Sequence, residues 1–503
     1  MSERPTTLGA LRASGYRSRG VRAELRDNLR QRLKNGKRLF PGVLGYDRTV
    51  IPGIVNAVLA GHDLILLGLR GQAKTRLLRA LTEWLDDAIP VIAGNELNDD
   101  PLDPVSVPGQ KLVATMGDDT PIDWLPREMR YNEKLATPDV SIADLLGDVD
   151  PIKAASRKLT LADPEVIHFG IVPRTNRGIF AINELPDLAP RIQVGLLNML
   201  EERDLQIRGF PVRIPLDILL VFSANPEDYT NRGSIITPLK DRISSQILTH
   251  YPDDPHTAAA ITEQEAWLDR EVAAEQQIVV PESVRLLIEE IAFAARESEL
   301  VDQTSGVSAR MSISALELLY SNLERRALMT GDRPVYPRLC DLHMLLPAIT
   351  GKVEMVYEGE QQGAEVVAKK IIGEAVKSIC QQRFPAIDRS VGGDEDASEY
   401  APIVNWFAQG GSVTLTDEQP FASYRGQLEM VPGLWELARE HADEPSEQAI
   451  ALTCELILEG LHQHLKLARE DLDSTISYKE MVKFQLLRPR RGRRRGEDDP
   501  GIN

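Results

Sequence analysis

The sequence is poor in aromatic residues, in paired cysteines and in long apolar runs, and each shortage excludes a class of protein. Phe, Trp and Tyr make up 5% of the 503 residues, so a core must be mainly aliphatic, which favours helix-rich packing. The cysteines Cys340, Cys380 and Cys454 lie far apart without a CxxC pair, which excludes a disulfide scaffold or a zinc ribbon. The apolar stretch 54–69 is interrupted by two polar residues and is too short to span a bilayer.

Positive charge is also in short supply. The 58 Lys and Arg residues face 76 Asp and Glu residues, which gives a net charge of −18 and a pI near 5.1. A protein that coats nucleic acid or an anionic membrane needs the opposite balance, so nucleic acid is disfavoured as a partner. Residues 1–20 contain no apolar segment of a signal peptide. We therefore expect a cytoplasmic protein without membrane insertion.

Two basic segments stand out against this acidic background. In the N-terminal extension 1–40, Leu25, Leu29 and Leu33 recur every four residues and predict an amphipathic helix packed against the next domain. A nucleic-acid-binding arm is the alternative. The arginine cluster in residues 488–503 predicts a disordered, solvated tail. Binding of nucleic acid or an acidic partner is the alternative for the tail.

From residue 41 onward, buried strands alternate with helices. The strand candidates are residues 62–68, 178–185 and 217–225, and the helix candidates between them are residues 74–87 and 191–204. Continuous apolar strands that alternate with helices predict a parallel sheet covered on both faces. The fold class is therefore α/β, with helical regions after it.

We expect four regions after the N-terminal extension. They are an α/β nucleotide-binding domain at 41–254 with an insertion at about 95–175, a helical lid at 255–350, a mainly helical domain at 351–487 and the tail at 488–503. Helices are predicted at 281–297, 312–329, 338–356, 363–382, 432–441 and 446–470, with a short hairpin at 404–421 and an acidic linker at 392–399.

The segment 68–75 fits the phosphate-binding pattern G-x-x-x-x-G-K-T, except that Ala73 replaces the second glycine. It lies between a predicted strand and a predicted helix, as this motif requires. Backbone N–H groups would surround the β-phosphate, Lys74 would add positive charge and the Thr75 hydroxyl would bind Mg²⁺. A positive φ at Ala73 would cost roughly 1 kcal/mol. The expected ATP-binding residues are Gly68, Gly71, Gln72, Ala73, Lys74 and Thr75. The alternative is a strand–helix turn of another α/β fold.

A second polar pair, Asn183 and Glu184, ends the predicted strand 178–185. This is the Walker B position, where the first residue is normally an Asp that holds Mg²⁺ through water. Two unit charges about 4 Å apart are worth roughly 4 kcal/mol at an effective dielectric near 20, so the neutral Asn183 is expected to weaken metal binding. Glu184 keeps the role of polarising the attacking water. We therefore expect ATP hydrolysis that is slow or that requires a high Mg²⁺ concentration. An ordinary strand-end cap is the alternative.

Three more residues are candidates for contact with the γ-phosphate. Asn225 ends the strand 217–225 at the sensor 1 position, where it would hold the γ-phosphate or the attacking water. Arg242 lies beyond it and would reach the γ-phosphate of a neighbouring subunit. The alternative for Arg242 is a surface residue paired with Asp241. Arg310 precedes a predicted helix of the lid, at the place of a sensor 2 arginine.

These elements, in this order, resemble those of the AAA+ ATPases, and most closely the branch of the magnesium-chelatase ATPase subunit and the MoxR-type ATPases. Residues 40–68 resemble the lead-in of that branch, 133–150 its long insertion, 168–188 its Walker B segment and 200–229 its hairpin before sensor 1. The resemblance covers about 40–350. The resemblance also implies that Arg177, just before the Walker B strand, helps to sense the bound nucleotide.

The resemblance implies an ATP-driven, ring-forming motor or chaperone, expected to be a hexamer, that remodels a partner protein complex. The partner would be a separate protein with a von Willebrand factor A domain. Chelation itself would belong to other subunits. Two alternatives are kept open. One is a nucleotide-gated scaffold that binds ATP with little hydrolysis. The other is a σ54-type transcription activator, although its GAFTGA-like loop and helix-turn-helix domain are not found in this sequence.

Overall fold

The computed structural model describes residues 4–150, 152–153, 155, 166–206, 213–225, 234–270, 275, 277–384, 399–472 and 475–480. The chain divides into two compact units, Met1–Pro252 and Asp253–Asn503. Of the acidic linker expected at 392–399 only Glu399 is described, and the tail at 488–503 lies outside the described residues. Within the part of the chain that is described, no helix combines the length and the apolarity needed to cross a membrane.

The first unit is built around a parallel sheet. Its strands are β1 (Leu64–Leu67), β2 (Ala88–Ile92), β3 (Ile122–Pro126), β4 (Tyr131–Leu135), β5 (Gly147–Val149), β6 (Ile167–Phe169), β7 (Gly178–Asn183), β8 (Asp204–Gln206), β9 (Arg213–Pro215), β10 (Ile218–Ala224) and β11 (Ser245–Leu248). Five of them form one sheet in the order β11-β1-β10-β7-β4, with parallel pairing throughout. This confirms the predicted α/β class with a parallel sheet.

The three central strands are buried along their whole length, because helices cover both faces of the sheet. Side chains alternate between the faces of a strand, so each strand contributes to two separate cores. Ile65, Phe180 and Phe222 pack into one of them. Leu64 and Ile179 pack into the other. Both cores are mainly aliphatic, as the low aromatic content predicts.

The helices of the first unit are mostly short. They are α1 (Leu8–Ala13), α2 (Val21–Lys34), α3 (Val50–Ala60), α4 (Lys74–Ala80), α5 (Val107–Met116), α6 (Ile142–Leu145), α7 (Ile171–Arg174), α8 (Pro190–Gly195), α9 (Leu197–Glu201) and α10 (Thr237–Arg242), with 3-10 turns at Leu81–Trp84, Gly117–Asp119, Arg127–Arg130 and Leu185–Asp187. The helix predicted at 74–87 thus begins as α4 and ends in a 3-10 turn. The helix predicted at 191–204 is split into α8 and α9.

The basic helix α2 packs onto the sheet domain. Leu25 and Leu29 are buried in one of its cores, whereas Leu33 is exposed. Glu24 accepts two hydrogen bonds from the Arg130 guanidinium, at 2.7 and 2.6 Å, and both side chains are buried. Breaking one partner of such a buried ion pair would leave an uncompensated charge, which costs several kcal/mol. The helix is therefore fixed to the domain.

The segment 95–175, interpreted from the sequence as an insertion, contributes an edge strand to the core sheet. Strand β4 pairs with β7 in parallel, with Glu133 opposite Ala181 and Leu135 opposite Asn183. Other parts of the segment form antiparallel ribbons, in which β3 pairs with β2 and β5 pairs with β6. A third ribbon, β8 with β9, precedes β10.

The second unit is mainly helical. Its elements are α11 (Pro255–Glu265), α12 (Glu282–Glu297), α13 (Arg310–Thr330), α14 (Leu346–Thr350), α15 (Tyr357–Gln362), α16 (Ala364–Arg383), α17 (Ala401–Ala408), α18 (Phe421–Glu429), α19 (Leu434–His441), α20 (Glu447–Gln463), a 3-10 helix at Leu339–Leu345, and strands β12 (Val413–Thr416), β13 (Leu467–Leu472) and β14 (Thr475–Glu480). One hydrophobic core extends through these elements, from Val280 to Tyr478.

The C-terminal strands differ from the prediction. No hairpin forms within 404–421, where β12 pairs instead with the distant β14 in a sheet of order β12-β14-β13. The helix predicted at 446–470 ends at Gln463, and Leu465 takes a positive φ of 59° before β13 begins. Strand formation depends on packing against distant neighbours, which a local sequence pattern does not contain.

Candidate active site

The loop at residues 68–75 joins β1 to α4 at the carboxyl edge of the sheet. Gly71 has a φ of 77° and Ala73 a φ of 55°, so both lie in the left-handed region. Glycine enters this region freely, but an L-residue there pays roughly 1 kcal/mol. Ala73 therefore takes the strained conformation that the missing glycine would have adopted without cost.

Gly68 is required by close packing at the start of the loop. A Cβ atom at this position would lie 2.0 Å from the Thr249 hydroxyl oxygen and 2.1 Å from the Gln72 amide oxygen. These two side chains are themselves joined, because the Thr249 hydroxyl donates to Gln72 at 2.7 Å. The Gln72 side chain is thus committed to the strand edge behind the loop.

Two tyrosine hydroxyls contact carbonyl groups of the loop, and that of Tyr46 also lies 2.8 Å from the His250 carbonyl oxygen. The Tyr46 hydroxyl lies 3.0 Å from the carbonyl oxygen of Gln72, and the Tyr251 hydroxyl donates to the carbonyl oxygen of Arg70 at 2.8 Å. In a planar trans peptide the N–H that follows a carbonyl points the opposite way. The two amides after these carbonyls therefore point away from the tyrosines. Such aligned amides are the basis of anion-binding loops.

Lys74 begins α4 and is buried, with 7% of its surface exposed. Its ammonium group donates to the carbonyl oxygens of Gly68 and Leu69, the latter at 2.9 Å, and to the Asn225 amide oxygen at 2.6 Å. These three oxygens hold the positive charge beside the loop. A phosphate oxygen is the kind of anionic partner that such a charge attracts.

Asn183 ends β7 next to the start of α4. Its amide oxygen accepts from the Ser223 hydroxyl at 3.1 Å and from the Thr75 hydroxyl at 3.5 Å. Ser223 lies on β10, which pairs with β7. The structure therefore brings together the two residues predicted to hold Mg²⁺, and it adds Ser223, which the sequence analysis did not identify.

Glu184 follows Asn183 in a left-handed conformation, with a φ of 56°. Its carboxylate accepts from the Asn225 amide nitrogen at 2.8 Å. Because Asn225 also accepts from Lys74 through its oxygen, one amide joins the loop lysine to the carboxylate of the neighbouring strand. Three predicted residues from three separate elements thus meet at one edge of the sheet.

Glu133, on β4, is a charged neighbour of this site that the sequence analysis missed. The Arg79 guanidinium binds its carboxylate, with the Arg79 Nε at 3.0 Å, and the Tyr131 hydroxyl donates to it at 3.0 Å. The hydrogen bond from Arg79 is the main cause that lowers the pKa of Glu133, and hydrogen bonds from Tyr131 and Asn183 lower it further. The residue lies in a segment interpreted as an insertion, so no sequence signal pointed to it.

A metal at this edge would have to use oxygen ligands. Among the described residues there is no cluster of three or more His, Cys, Asp or Glu side chains that could hold a metal. The Thr75 hydroxyl and the Asn183 amide oxygen lie 3.5 Å apart. Mg²⁺ in phosphate-transferring sites takes few protein ligands and completes its shell with water and substrate phosphates. The donor set therefore fits Mg²⁺ delivered with a nucleotide.

The other predicted arginines lie apart from this cluster. Arg242, at the end of α10, binds Glu201 at 2.6 Å, whereas the alternative to its predicted role named Asp241 as its partner. Arg177 stands at the opposite end of β7 from Asn183, where its buried guanidinium donates to the Pro90 carbonyl at 2.6 Å. Neither Arg242 nor Arg177 contacts the loop at residues 68–75 in the hydrogen bonds and ion pairs described here for its own chain. Their roles toward a nucleotide remain predictions.

Arg310 belongs to the second unit, where it begins α13 with an exposed side chain. Its backbone N–H is 3.2 Å from the Ser308 hydroxyl oxygen. The predicted sensor 2 role of Arg310 remains a prediction.

Comparisons with known proteins find resemblance in three dimensions but not in sequence. No family model and no curated protein matches the chain. A protein from Cytophaga hutchinsonii assigned as an ATPase is 15% identical, with 72% of this chain and 97% of that chain covered and a TM-score of 0.30. A model of the complex between the BchI and BchD subunits of magnesium chelatase is 18% identical over 64% and 98% of the two chains, with a TM-score of 0.33. NtrX from Brucella abortus in complex with ATP is 13% identical over 73% and 70%, with a TM-score of 0.33.

Proposed function

We propose that this chain binds ATP with Mg²⁺ and hydrolyses it as an AAA+ motor of the magnesium-chelatase/MoxR type. The observation that carries the proposal is the Asn225 amide, which lies 2.6 Å from the Lys74 ammonium and 2.8 Å from the Glu184 carboxylate. This contact supports the proposal because Lys74, Asn225 and Glu184 lie side by side, as a phosphate-binding lysine, a sensor amide and a general base would have to. An ordinary strand-end cap at 183–184 would not require it.

The loop residues would bind the phosphates. The amides aimed by Tyr46 and Tyr251 and the positive end of α4 favour negative charge. Lys74 would exchange its carbonyl partners for β- and γ-phosphate oxygens. Arg177 and Arg310 are proposed to contact the nucleotide as well, on the sequence resemblance alone.

The hydroxyl of Thr75 and, through water, the amide oxygen of Asn183 would hold the metal. Mg²⁺, when bound, supplies positive charge that neutralises the β- and γ-phosphates. Asn183 brings no negative charge to this position, so the triphosphate must supply most of the counter-charge.

Glu184 would orient and deprotonate the attacking water. A general base must lie within hydrogen-bond reach of the proton that it accepts. The bond from Asn225 holds the Glu184 carboxylate at this edge of the sheet, beside the amide proposed to contact the γ-phosphate. Asn225 would hold the γ-phosphate or that water at the same time.

Nucleotide affinity and turnover test this assignment separately. Lys74→Ala should abolish binding of a fluorescent ATP analogue, whereas Glu184→Gln should keep binding and reduce steady-state hydrolysis by at least about a hundredfold, the usual size of a general-base effect. Lys37→Ala, which removes an exposed lysine of the same unit, is the matched control and should change neither. Unaltered affinity in Lys74→Ala would refute the nucleotide site.

A nucleotide-gated scaffold is the second candidate, and the neutral Asn183 is the observation that favours it. A Mg²⁺ titration of the wild-type ATPase rate separates the two. The motor requires a rate that rises with Mg²⁺ and is absent in Glu184→Gln. Equal inactivity of wild type and Glu184→Gln at every Mg²⁺ concentration would leave binding without catalysis, and the scaffold would replace the motor.

We propose further that the chain assembles into a ring, expected to be hexameric, which remodels a separate protein with a von Willebrand factor A domain. The support is the sequence resemblance together with the placement of Arg242, whose side chain is 30% exposed at the end of α10. Glu184→Gln in the presence of ATP should stall such a ring and retain its partner in a pull-down. Recovery of no such protein with ATP, relative to ADP, would contradict the partner assignment.

A further inference from the structure

Ser223 contacts both of the polar residues at the end of β7. It lies on β10 and is almost completely buried, with 1% of its surface exposed. Its hydroxyl oxygen accepts a hydrogen bond from the Glu184 backbone amide at 3.3 Å, and its hydroxyl donates to the Asn183 amide oxygen at 3.1 Å. A backbone N–H only donates, so the one proton of the serine is left for Asn183. A single hydroxyl thus serves both residues.

The strand register explains why this serine reaches the end of β7. In the parallel pair β7 and β10, Ala181 stands opposite Val221, and both side chains pack into the core that α4 covers. Residues two apart on a strand point to the same face of the sheet. Asn183 and Ser223 therefore lie together on the face that carries α4, where the Thr75 hydroxyl of that helix also donates to Asn183.

The Ser223 hydroxyl is the closer of the two donors to Asn183. An asparagine side chain ends in an oxygen and an NH₂ group of similar size, and its hydrogen bonds determine which of them faces a neighbour. Here the oxygen receives the proton of Ser223 at 3.1 Å and that of Thr75 at 3.5 Å. Without the shorter bond, the amide would be free to turn its NH₂ group toward Thr75, and a cation would meet a donor in place of an oxygen.

We propose that Ser223 is a positioning residue for the candidate site, because it fixes the Asn183 oxygen toward Thr75 and holds the turn that carries Glu184. The proposal deepens the proposed function and rests on it. Mg²⁺ prefers oxygen ligands, so the orientation of the Asn183 amide matters for the metal. Glu184 has a φ of 56°, which surrounding contacts must maintain, and its amide donates to the Ser223 oxygen.

The first experiment measures binding of a fluorescent ATP analogue to the full-length protein in the Glu184→Gln background, as a function of Mg²⁺. Ser223→Ala should raise the Mg²⁺ concentration for half-maximal binding by about tenfold, the lower end of the range found when groups that orient metal ligands are removed. Its affinity in EDTA should equal that of the parent, because the loop at residues 68–75 is unchanged. An unaltered Mg²⁺ requirement would overturn the proposal.

A carboxylate at position 183 separates orientation of the side chain from support of the fold. Both ends of an aspartate side chain are oxygens, so turning it over does not change what a cation meets. In an Asn183→Asp background, Ser223→Ala should therefore change the Mg²⁺ requirement by much less than it does beside asparagine. An equal change in the two backgrounds would show that Ser223 only supports the strand end, and the proposed orientation would be wrong.

Ser106→Ala is the matched control, because Ser106 makes a similar pair of hydrogen bonds elsewhere in the first unit. Its side chain is buried, its hydroxyl donates to the Asp99 carboxylate, and its oxygen accepts from the Gly109 amide at 3.0 Å. Each alanine variant loses a buried hydroxyl, so both should melt at a lower temperature than the parent. Only Ser223→Ala should shift the Mg²⁺ requirement, and an equal shift in Ser106→Ala would contradict the proposal.

Turnover tests the contact with Glu184. In the chain that keeps Glu184, Ser223→Ala should lower kcat at saturating Mg²⁺ by about tenfold, the size of effect that one lost hydrogen bond can have. An unchanged kcat would overturn the assignment of Ser223 to the turn. Failure of the proposed function is distinguishable, since it would appear as absence of nucleotide binding by the parent itself or as unchanged affinity in Lys74→Ala.

Discussion

Ala73 and Glu184 both adopt left-handed backbone conformations, on two sides of the candidate site. Each costs an L-residue roughly 1 kcal/mol or more, and the surrounding contacts must hold it in place. For the loop, those contacts are the hydrogen bond from Tyr251 to the Arg70 carbonyl and the Tyr46 hydroxyl, whose one proton is shared between the carbonyls of Gln72 and His250. For Glu184, they are the bonds from its amide to Ser223 and from Asn225 to its carboxylate. The backbone strain at this edge of the sheet is thus confined to these two residues, and neighbouring hydrogen bonds hold both of them in place.

Ala73→Gly tests the strain in the loop. Glycine should relieve roughly 1 kcal/mol of strain but add a similar entropy to the unfolded chain, so the free energy of unfolding should change little. Affinity for ATP should be kept. Ala73→Val should lower both the free energy of unfolding and the affinity for ATP, because a β-branched residue at positive φ is disfavoured more strongly. Thermal unfolding and nucleotide titration measure the two effects. A large loss of affinity in Ala73→Gly would mean that the Ala73 methyl group makes a contact that the ligand needs.

At the scale of secondary structure, the sequence predicted those strands that are continuous apolar runs leading to a candidate site residue. Strands β1, β7 and β10 meet this description, and they carry the loop, Asn183–Glu184 and Asn225. Strand β4 was not predicted, because its residues Tyr-Asn-Glu-Lys-Leu are half polar and only partly buried at a sheet edge. Glu133 was missed with it, since only the register of β4 against β7, which sets Glu133 opposite Ala181, places it on the face of the sheet that carries Asn183.

Helix α20 raises a separate question of charge, because it runs through the core of the second unit with two fully buried glutamates. Burial raises the pKa of Glu455 to about 7, although its carboxylate accepts a hydrogen bond from the Leu339 amide. The pKa of Glu459 is lowered despite its burial, mainly by Arg469, whose guanidinium lies 2.8 Å away. Two carboxylates one turn apart on one helix thus favour opposite protonation states.

The raised pKa of Glu455 predicts how the stability of the folded chain depends on pH. Between about pH 4.5 and about pH 7 the folded state keeps the Glu455 proton that the unfolded chain releases. Stability from this group is therefore present at low pH and falls as the pH rises, by up to about 3 kcal/mol. Glu455→Gln should remove this slope and be more stable than wild type at pH 8, as measured by denaturant unfolding of the full chain across this pH range.

Glu459→Gln is the control for that prediction. It removes the buried carboxylate paired with Arg469, whose own side chain is 23% exposed, so it should lower stability at neutral pH by about 1 to 3 kcal/mol. The effect should shrink as the pH falls and Glu459 of the wild type becomes protonated. If both variants changed stability at pH 8 in the same direction, the assignment of opposite protonation states would be wrong.

At the scale of the whole molecule, the proposed ring predicts that one active site is built from two subunits. Arg242 would act on the γ-phosphate held by its neighbour, whereas Glu184 acts on the phosphate held by its own loop. Arg242→Ala should lower turnover by about a thousandfold, in the range of arginine-finger losses, without loss of nucleotide affinity. Glu201→Gln removes only the partner that binds Arg242 at 2.6 Å, and it should keep most of the activity.

Mixing two inactive variants separates action between subunits from action within one. An Arg242→Ala subunit keeps Glu184, and a Glu184→Gln subunit keeps Arg242. A ring that contains both therefore has some interfaces where an intact base faces an intact arginine. The mixture should regain ATPase activity that neither variant has alone, and the gain should disappear when Lys74→Ala is added to the Arg242→Ala chain. A mixture no more active than its two components would place Arg242 outside the active site and remove the structural support for the ring.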